Sequence, residues 1–447
     1  MSAERRDTLR GKRILLLQGP VGPFFRRLSH LLQAAGAEVH KVNFNGGDCL
    51  FYPSRALRWR GPMESWPYHF AVLLERLRID IVLLFGDCRP IHRAARDIAQ
   101  QLGIKVGAFE EGYVRPNFIT FERSGVNGNS QVPRQRDFYD ALAREPGLPE
   151  RDLGNTFWWA ALWAVLYYTA SSLAQMRFAR YEHHRPLSLR EAWPWLRAGG
   201  RKLLYKWTER RALRTLTGSR SRKFFLVPLQ LSSDSQVSEH SRFASVADFI
   251  RHVIASFARH AAQDLMLVIK HHPLDRGYHH YAPLIRQLAQ EHRLGARLLY
   301  THDQYLPALF DHMRGAVVIN STVGFSALTH GAPLKTLGVA VYDMEGLTFQ
   351  GSLDEFWSAA AHFRPDFELL HRFRTYLIDQ TQINGSFYKV DTATAAAAMV
   401  SVADALGAGQ RQRAAALTTV PSRAAAGSLR HTPVAASAID AEERLGT

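Results

Sequence analysis

The chain has 447 residues, of which 46% are hydrophobic and 21% are charged, and its formal net charge is +16 at pH 7. This length exceeds one ordinary core of ~150 residues and predicts about two domains with appendages. The positive charge favours an anionic partner, either nucleic acid, an anionic membrane surface or a phosphate-bearing substrate. The two cysteines, Cys49 and Cys88, lack metal-type spacing, which argues against a zinc site or disulfide scaffold and fits a reducing cytoplasm.

The first 150 residues alternate short apolar runs with segments of helical periodicity. We predict strands at 13–17, 39–44, 79–85 and 105–109, and helices at 24–35, 68–77 and 92–102. Strands separated by helices at this spacing build a parallel doubly wound sheet, in which ligands bind beyond the carboxyl ends of the strands. The residues expected at that edge of this N-terminal Rossmann-like domain (1–150) are Gly19, Gly22, Asn45, Asp87, Glu110 and Glu111.

The middle of the chain, residues 151–222, differs from both flanking parts. Residues 156–176 carry no charge and are rich in Trp and Tyr, which leaves three interpretations open: a bilayer span, a buried interdomain helix or an interfacial helix. Residues 177–223 are dense in Arg, Lys, His and Trp. They form either a solvated connector or a basic face that rests on anionic lipid.

A second α/β unit follows, and we assign it to residues 223–407. Its predicted strands are 223–228, 265–270, 297–300, 315–319 and 333–337, and its predicted helices are 246–261, 305–313 and part of one at 326–330. Two doubly wound units joined face to face would leave a cleft between them. Residues 408–447 turn to Ala, Ser, Thr and Arg, a composition that predicts a disordered tail.

Three short motifs carry candidate chemistry. Glu110-Glu111-Gly112 supplies two carboxylates for acid/base or nucleophilic work, although a solvated acidic turn is the alternative. Lys270-His271-His272-Pro273 places cationic and imidazole groups at a strand end, where they suit a nucleotide phosphate or form a surface histidine cluster. Ser321 and Thr322 follow a strand, and their hydroxyls either cap a helix or bind phosphate beside its first amides.

Taken together, these motifs resemble the capsular polysaccharide export family known as KpsS or LipB, whose members are understood as Kdo transferases. The most specific pieces are Gln18 to Phe25, Glu110 to Pro116, Gln230 to Asp234, Lys270 to Pro273 and Asn320 to Leu328. The acid-acid-Gly, His-Pro and Ser/Thr triplet is also similar to that of GT-B sialyltransferases, which likewise use CMP-sugars. The resemblance implies a GT-B-like fold of two Rossmann-like domains and a retaining β-Kdo transfer from CMP-Kdo to a phosphatidylglycerol-type lipid.

The resemblance also implies roles for individual residues. Glu111 would be the nucleophilic carboxylate, Glu110 would orient it or act as acid/base, and His272 would hold or protonate the departing CMP phosphate. The residues expected to bind the CMP-sugar are Lys270, His272, Ser321, Thr322, Gln230 and Asp234, and those on the acceptor side are Gly19, Gly22, Asn45 and Asp87. The leaving group is already a phosphate and no Asp-x-Asp motif stands out, so we expect neither a metal nor a cofactor.

A lipid acceptor would account for the positive charge, because a cytoplasmic enzyme that works on it must dock on the anionic inner membrane. Other capsule assembly proteins are further expected partners, and nucleic acid is not. Two other functions remain open from the sequence. One is a non-enzymatic export component that binds lipid-linked glycan, and the other is an enzyme with another donor, such as a CMP-sialic acid transferase or a UDP-sugar epimerase.

Overall fold

A computed structural model describes residues 2–147, 149–181 and 192–407. Within this part of the chain, the strands are β1 (Arg13–Leu16), β2 (Glu38–Asn43), β3 (Leu57–Arg58), β4 (Ile81–Phe85), β5 (Lys105–Glu111), β6 (Phe118–Arg123), β7 (Phe224–Pro228), β8 (Met266–Lys270), β9 (Leu298–Thr301), β10 (Gly315–Val318), β11 (Leu334–Thr336) and β12 (Gln382–Asn384). The predicted disordered tail, 408–447, lies outside the described residues.

The helices flank these strands in sequence. They are α1 (Ala3–Leu9), α2 (Phe24–Ala34), α3 (Gly46–Phe51), α4 (Trp66–Leu77), α5 (Pro90–Gln101), α6 (Arg136–Asp140), α7 (Phe157–Leu173), α8 (Ala192–Thr208), α9 (Arg210–Thr217), α10 (Ser235–Glu239), α11 (Val246–His260), α12 (Ala282–Glu291), α13 (Leu306–His312), α14 (Thr322–Thr329), α15 (Leu353–Ala359), α16 (Phe367–Thr381) and α17 (Ala393–Leu406). The described chain divides into two compact units, one formed by 2–131, 147, 149–181 and 375–407, and the other by 132–146 and 192–374.

The first unit is built on a seven-stranded sheet in the order β12-β6-β5-β4-β1-β2-β3. Strands β1 to β5 pair in parallel, as the alternation of strands and helices predicts. All five residues of β4 are buried, since apolar clusters cover both faces of the sheet. Strands β6 and β12 extend the sheet antiparallel, and the sequence analysis missed both.

The second unit contains a five-stranded sheet in the order β11-β10-β7-β8-β9, and every pairing in it is parallel. Its core packs α11 and α15 against the sheet through Phe225, Phe257, Phe356 and Trp357, all of them at most 1% exposed. Both units therefore have the predicted α/β class, with strand order reversing at β1 in one sheet and at β7 in the other.

The composition of the units differs from the predicted domain boundaries. Residues 375–407, which the sequence analysis placed in the C-terminal domain, pack in the first unit. The physical reason is that β12 pairs with β6, and that α17 buries Ala398 and Val402 in the first unit's apolar cluster. The predicted connector is also divided, since 151–181 belongs to the first unit and 192–222 to the second.

Helix α7 occupies the uncharged segment for which three interpretations were open. It packs closely on α3, because a Cβ at Gly46 would lie 2.1 Å from the carbonyl oxygen of Ala170. Tyr167 and Ser171 are buried in this contact, whereas Trp158 and Leu173 are more than 70% exposed. In the described part of the chain, no helix is both long and apolar enough to span a bilayer.

We expect the stability of the protein to depend on pH because of the buried carboxyl group of Glu122 on β6. Burial raises the pKa of this carboxyl from 4.5 to about 7, although hydrogen bonds from Ser130 and Tyr113 oppose the shift. A raised folded-state pKa stabilises the protein below pH 4.5, and this contribution disappears as the pH rises through 7. The resulting change in the free energy of unfolding is about 3 kcal/mol. We expect urea unfolding to show that Glu122→Gln removes this slope between pH 5 and pH 8.

The free energies of unfolding of Glu122→Gln and wild type are compared at each pH, so the contributions of the other titrating groups cancel. Asp97→Asn, at an exposed carboxylate on α5, is the control and should keep the wild-type pH dependence. A Glu122→Gln curve parallel to the wild-type curve would contradict the raised pKa of Glu122.

Candidate functional site

The carboxyl ends of β1, β4 and β5 bring the predicted acidic motif of the first unit beside a polar network. Glu110 and Glu111 are the last two residues of β5 and are half-buried. Because alternate side chains of a strand leave opposite faces, the two carboxylates have different surroundings. The acidic pair, for which a solvated turn was the alternative, is thus part of a strand end, where Glu110 pairs with Thr120 and Glu111 with Ile119 of β6.

Glu111 is held by a tyrosine that the sequence analysis missed. The hydroxyl of Tyr388 donates to Oε1 of Glu111 at 2.6 Å. Burial and the adjacent Glu111 raise the pKa of Tyr388 well above its usual range, so its hydroxyl keeps the proton that it donates. Tyr388 fixes one carboxylate oxygen of Glu111, as expected for an orienting group beside a nucleophile or base.

Glu110 makes a local contact of another kind. Its Oε1 accepts a hydrogen bond from the backbone amide of Glu111 at 2.9 Å. A Cβ on Gly86, the residue after β4, would lie 3.4 Å from Oε2 of Glu110 and 3.7 Å from Nε of Arg89. The Glu110 side chain thus lies over the end of β4, near a guanidinium.

Gly112 follows the acidic pair, and a glycine at this position could allow a ligand to approach the backbone closely. A Cβ there would lie 2.2 Å from the carbonyl oxygen of Phe118. The close approach is therefore made by the protein's own backbone, in the connection between β5 and β6.

Asp87, predicted on the acceptor side, is fully buried. Its Oδ2 accepts from Arg96 at 3.2 Å, from Asn129 at 2.8 Å and from the amide of Val126 at 3.1 Å. The thiol of Cys88 donates to its Oδ1. These hydrogen bonds give the Asp87 carboxylate a structural role at the end of β4. Neither Cys49 nor Cys88 forms a disulfide.

Asn45, also predicted on the acceptor side, caps α3 and is 1% exposed. Its Oδ1 accepts from the amide of Asp48, and its Nδ2 donates to the hydroxyl of Tyr167 at 2.6 Å.

Gln18, missed as a site residue, donates to the hydroxyl of Tyr181 at 2.9 Å and accepts from Arg89 at 2.8 Å. These bonds join the β1, β2 and β4 ends to α7.

Gly19 and Gly22, the remaining acceptor-side candidates, lie in the loop between β1 and α2. Gly22 has a φ of +120°, a conformation that residues with a side chain rarely adopt. A Cβ there would lie 3.2 Å from the ring of Trp163, and a Cβ at Gly19 would lie 2.7 Å from the ring of Phe25. The loop is thus compact and close to α7.

In the second unit, Gln230, Asp234 and Asn320 form one hydrogen-bonded cluster at the carboxyl ends of β7 and β10. Nε2 of Gln230 donates to Oδ1 of Asn320 at 2.8 Å and to Oδ2 of Asp234 at 3.1 Å. Asp234 also caps α10 through its other oxygen. The structure therefore brings together two predicted donor-side residues and the first residue of the Asn-Ser-Thr motif.

Ser321 caps α14, and Thr322 is the first residue of that helix. Oγ of Ser321 accepts from the amide of Val323 at 3.2 Å, so the simple capping interpretation is confirmed as one role of Ser321. The Ser321 hydroxyl retains its own proton for donation to an anion. The positive end of α14 would favour the same anion.

This dual role predicts two separable losses in Ser321→Ala. Removal of the cap should lower the free energy of unfolding by about 1 kcal/mol. If CMP binds here, as the resemblance implies, removal of the donor should weaken its binding about tenfold, the value of one hydrogen bond to a charged group. Ser352→Ala removes another serine cap and is the matched control. It should lower stability similarly, but calorimetric titration should find its CMP affinity unchanged.

The Lys-His-His-Pro motif ends β8. Lys270 is 2% exposed and His272 is half-buried. His272 begins a 3-10 turn, where its Nδ1 accepts from the amide of Leu274 at 3.2 Å. His271 is buried, and burial together with the nearby His302 lowers its pKa to about 3. His271 is thus neutral and offers no positive charge to a phosphate, which was expected of Lys270 and His272 in this motif.

Glu209 and His302 form a pair that the sequence analysis missed. Nδ1 of His302 lies 2.7 Å from Oε1 of Glu209, and the ring of Tyr205 stacks on His302 at 3.8 Å. Burial by itself would raise the pKa of Glu209, but hydrogen bonds from His302 and Thr301 lower it to about 2. The pair ties the α8–α9 segment to the β9 end, behind His271.

Within the described residues, no group of three or more His, Cys, Asp or Glu side chains is placed to hold a metal ion.

The two units define a class of α/β protein in which polar loops follow the carboxyl ends of parallel strands, the usual position of a ligand site in such sheets. Comparison with known proteins specifies the family. The model of the family described as capsule polysaccharide biosynthesis protein matches residues 80–388. The chain belongs to this family, as the motifs predicted.

Two relatives match most of the chain. It is 43% identical over 382 residues to the capsule polysaccharide export protein KpsS of Escherichia coli, covering 85% of this chain and 98% of that protein. It is 41% identical over 386 residues to the capsule polysaccharide modification protein LipB of Neisseria meningitidis serogroup B, covering 84% and 91%. Among solved structures, the β-Kdo 2,7 transferase KpsC of Thermosulfurimonas dismutans matches at 14% identity with a TM-score of 0.38, covering 88% and 99%.

Proposed function

We propose that this protein is a retaining β-Kdo glycosyltransferase that moves Kdo from CMP-Kdo to a phosphatidylglycerol-type lipid. The product would be the start of the lipid-linked oligo-Kdo linker of a capsule. The observation that carries the proposal is the Glu111 carboxylate, which Tyr388 holds at the carboxyl end of β5. Membership of the capsule polysaccharide family supports the pathway, and the motif resemblance supports the donor.

Retention at the anomeric carbon can proceed by two displacements through an enzyme carboxylate. In the proposed mechanism, Glu111 attacks the anomeric carbon of Kdo as CMP departs, and the acceptor hydroxyl then displaces Glu111. Tyr388 holds one oxygen of Glu111, which leaves the other available for attack. Glu110 is the candidate to take the acceptor's proton.

The donor's CMP group is assigned to the carboxyl edge of the second sheet. Ser321 and Thr322 would contact its phosphate at the positive end of α14, and His272 and Lys270 would stabilise the charge that develops as CMP leaves. Gln230 and Asp234 would support these contacts through Asn320. The departing phosphate is an anion already, so this chemistry requires no metal or cofactor.

The lipid acceptor requires contact with the anionic inner face of the membrane. Helix α7 exposes a run of apolar side chains that ordinary solvated helices lack, at Trp158, Trp159, Leu162, Val165 and Leu166. Arg177 and Arg180 follow it in the chain, and the net charge of +16 adds attraction to anionic lipid. We therefore propose a cytoplasmic protein peripheral to the inner membrane, with α7 as an interfacial helix.

The test uses purified protein, CMP-Kdo generated in situ and a fluorescent phosphatidylglycerol acceptor, with product mass as the readout. A product heavier by one Kdo residue is the expected result. CMP should inhibit the reaction, and CMP-sialic acid should not replace the donor. CMP binding without product would exclude CMP-Kdo and phosphatidylglycerol as the donor and acceptor of this protein. Absence of both CMP binding and product would favour a non-enzymatic export component.

A further inference from the structure

A small pocket in the first unit lies between the β1–α2 loop, β2, α3 and α7. Its enclosed volume is about 20 Å³, roughly the room that one water molecule or one phosphate oxygen needs, and the pocket opens at the protein surface. Its lining includes Gly22, Arg26, Lys41, Asp48 and Tyr167. None of the roles proposed above uses Lys41 or Arg26.

Lys41 is a buried cation with few partners. It is 3% exposed, and its Nζ donates to the carbonyl oxygen of Val42. An ammonium group has three donors, and this is the one acceptor that the described residues provide. Burial lowers the pKa of Lys41 to about 8, against the opposing effect of Asp48. A buried charge in this state is costly unless an anion pairs with it.

Asp48 does not provide a full counter-charge, because its oxygens already serve other donors. Oδ2 accepts from the amide of Phe44 at 2.9 Å and from Gln18 at 3.3 Å, and Oδ1 accepts from the hydroxyl of Tyr167 at 3.3 Å. No ion pair between Lys41 and Asp48 within 4.0 Å is found among the described residues. The pocket therefore retains positive character near Nζ.

The N-terminus of α2 adds to the positive character of the pocket. The helix has 11 residues, and its N-cap, Pro23, makes no side-chain cap, so the first-turn amides lack that acceptor. Gly22, with its positive φ, turns the loop into this helix at the pocket wall. Arg26 is exposed on the first turn of α2 and lines the same pocket. A buried ammonium, a guanidinium and a helix N-terminus are together suited to one phosphate group.

Helix α7 connects this pocket with an apolar surface. Tyr167 lines the pocket and is 4% exposed, whereas Trp158, Leu162 and Leu166 on the same helix are exposed. A phosphate site whose wall continues into an exposed apolar helix matches a molecule with an anionic head and hydrocarbon tails.

From this arrangement we propose that the Lys41 pocket binds the phosphodiester of an anionic phospholipid headgroup. Lys41 binds a phosphate oxygen inside the pocket, and Arg26 closes on the phosphate from the mouth. The inference deepens the proposed function and depends on it for the identification of the lipid as the acceptor. The shared chemistry, a phosphate oxyanion, also belongs to inorganic phosphate, so the test compares both ligands.

The first experiment titrates the full chain with short-chain phosphatidylglycerol below its micelle concentration, and separately with inorganic phosphate, in a calorimeter. We expect Lys41→Met to weaken phosphatidylglycerol binding about tenfold or more, the value of a charge-assisted hydrogen bond. Lys335→Met is the matched control, because Lys335 is a partly buried lysine of the second unit that also donates to a backbone carbonyl. This control should bind the lipid as wild type does.

A pH series on wild type covers the case in which Lys41→Met does not fold. A phosphodiester does not titrate between pH 7 and pH 9, whereas Lys41 loses its proton with a pKa of about 8. Affinity should therefore fall as the pH rises over this interval. The other titratable or charged groups that face Lys41 are Arg26, Asp48, Cys49, Tyr52, His92 and Tyr167. Cys49→Ser should keep the same pH dependence, which separates the ammonium from the thiol.

The outcomes separate this inference from the proposed function. Unchanged lipid affinity in folded Lys41→Met, or pH-independent binding by wild type, would overturn the pocket assignment while leaving Kdo transfer intact. Inorganic phosphate that binds as tightly as the lipid and displaces it would overturn the headgroup assignment. Lys41-dependent lipid binding by a protein that binds no CMP and forms no product would support the pocket and remove the transferase function.

Discussion

Glu111→Ala is expected to lower kcat for Kdo transfer by about 10³-fold or more, since it removes the carboxylate that would form the covalent bond to the sugar. CMP affinity should stay at the wild-type value, because the proposed CMP contacts come from other residues. The measurement is single-turnover product formation with CMP-Kdo and the fluorescent lipid, combined with calorimetric titration of CMP. Wild-type activity in Glu111→Ala would exclude the proposed nucleophile.

Two neighbouring substitutions make the Glu111 result specific. Tyr388→Phe removes the hydrogen bond to Oε1 of Glu111 without removing the ring. It should cost about tenfold in kcat, the value of one hydrogen bond to a charged group. Glu110→Gln keeps the shape of the adjacent side chain. If Glu110 takes the acceptor's proton, Glu110→Gln should slow the second displacement, and the glycosyl-enzyme should accumulate with a mass increase of one Kdo.

Asp87→Ala should have the largest effect on stability, a loss of about 3–5 kcal/mol in the free energy of unfolding. The fully buried carboxylate accepts from Arg96, Asn129 and the amide of Val126, and alanine leaves these donors without that acceptor. Urea unfolding followed by circular dichroism measures the change.

Asp97→Ala is the control for Asp87, because both carboxylates pair with Arg96 and Asp97 is half exposed. An exposed ion pair contributes about 1 kcal/mol or less, so the Asp97 variant should remain near wild type. If Asp87→Ala kept its stability but lost lipid binding, Asp87 would be an acceptor ligand, as the sequence analysis predicted.

The strands that the sequence identified best are the buried parallel ones. The run Ile81–Phe85 is continuously apolar because both faces of β4 are covered, and this pattern is visible in a single sequence. Strand β12 was missed, since it has only three residues and its partner, β6, lies more than 250 positions earlier. Local periodicity carries no information about such a pairing.

In the candidate site, too, some residues are recognisable from local sequence and others only from contacts between distant parts of the chain. Glu110, Glu111, His272 and Ser321 were found because short motifs follow predicted strands, and those strands are present. Tyr388 and Lys41 lie in segments without a chemical motif, and Gln18 begins one of the motif pieces but was given no role there. Only packing gives these three residues their partners. Asp87 lies just beyond the end of β4, near the end of β5 that carries the acidic pair, but three donors enclose its carboxylate.

The sequence by itself determined the α/β class, the family and the positions of the motifs at strand ends. The α/β class and the strand ends depend on local patterns of apolar runs, helical periodicity and the residues that interrupt them. The family came from the resemblance of the motifs to those of known proteins. The tertiary structure decided which acidic residue is held by a tyrosine, which is buried in an ion pair, and that residues 375–407 complete the first unit. The reason is physical, because burial and hydrogen-bond partners arise from contacts between residues that are distant along the chain.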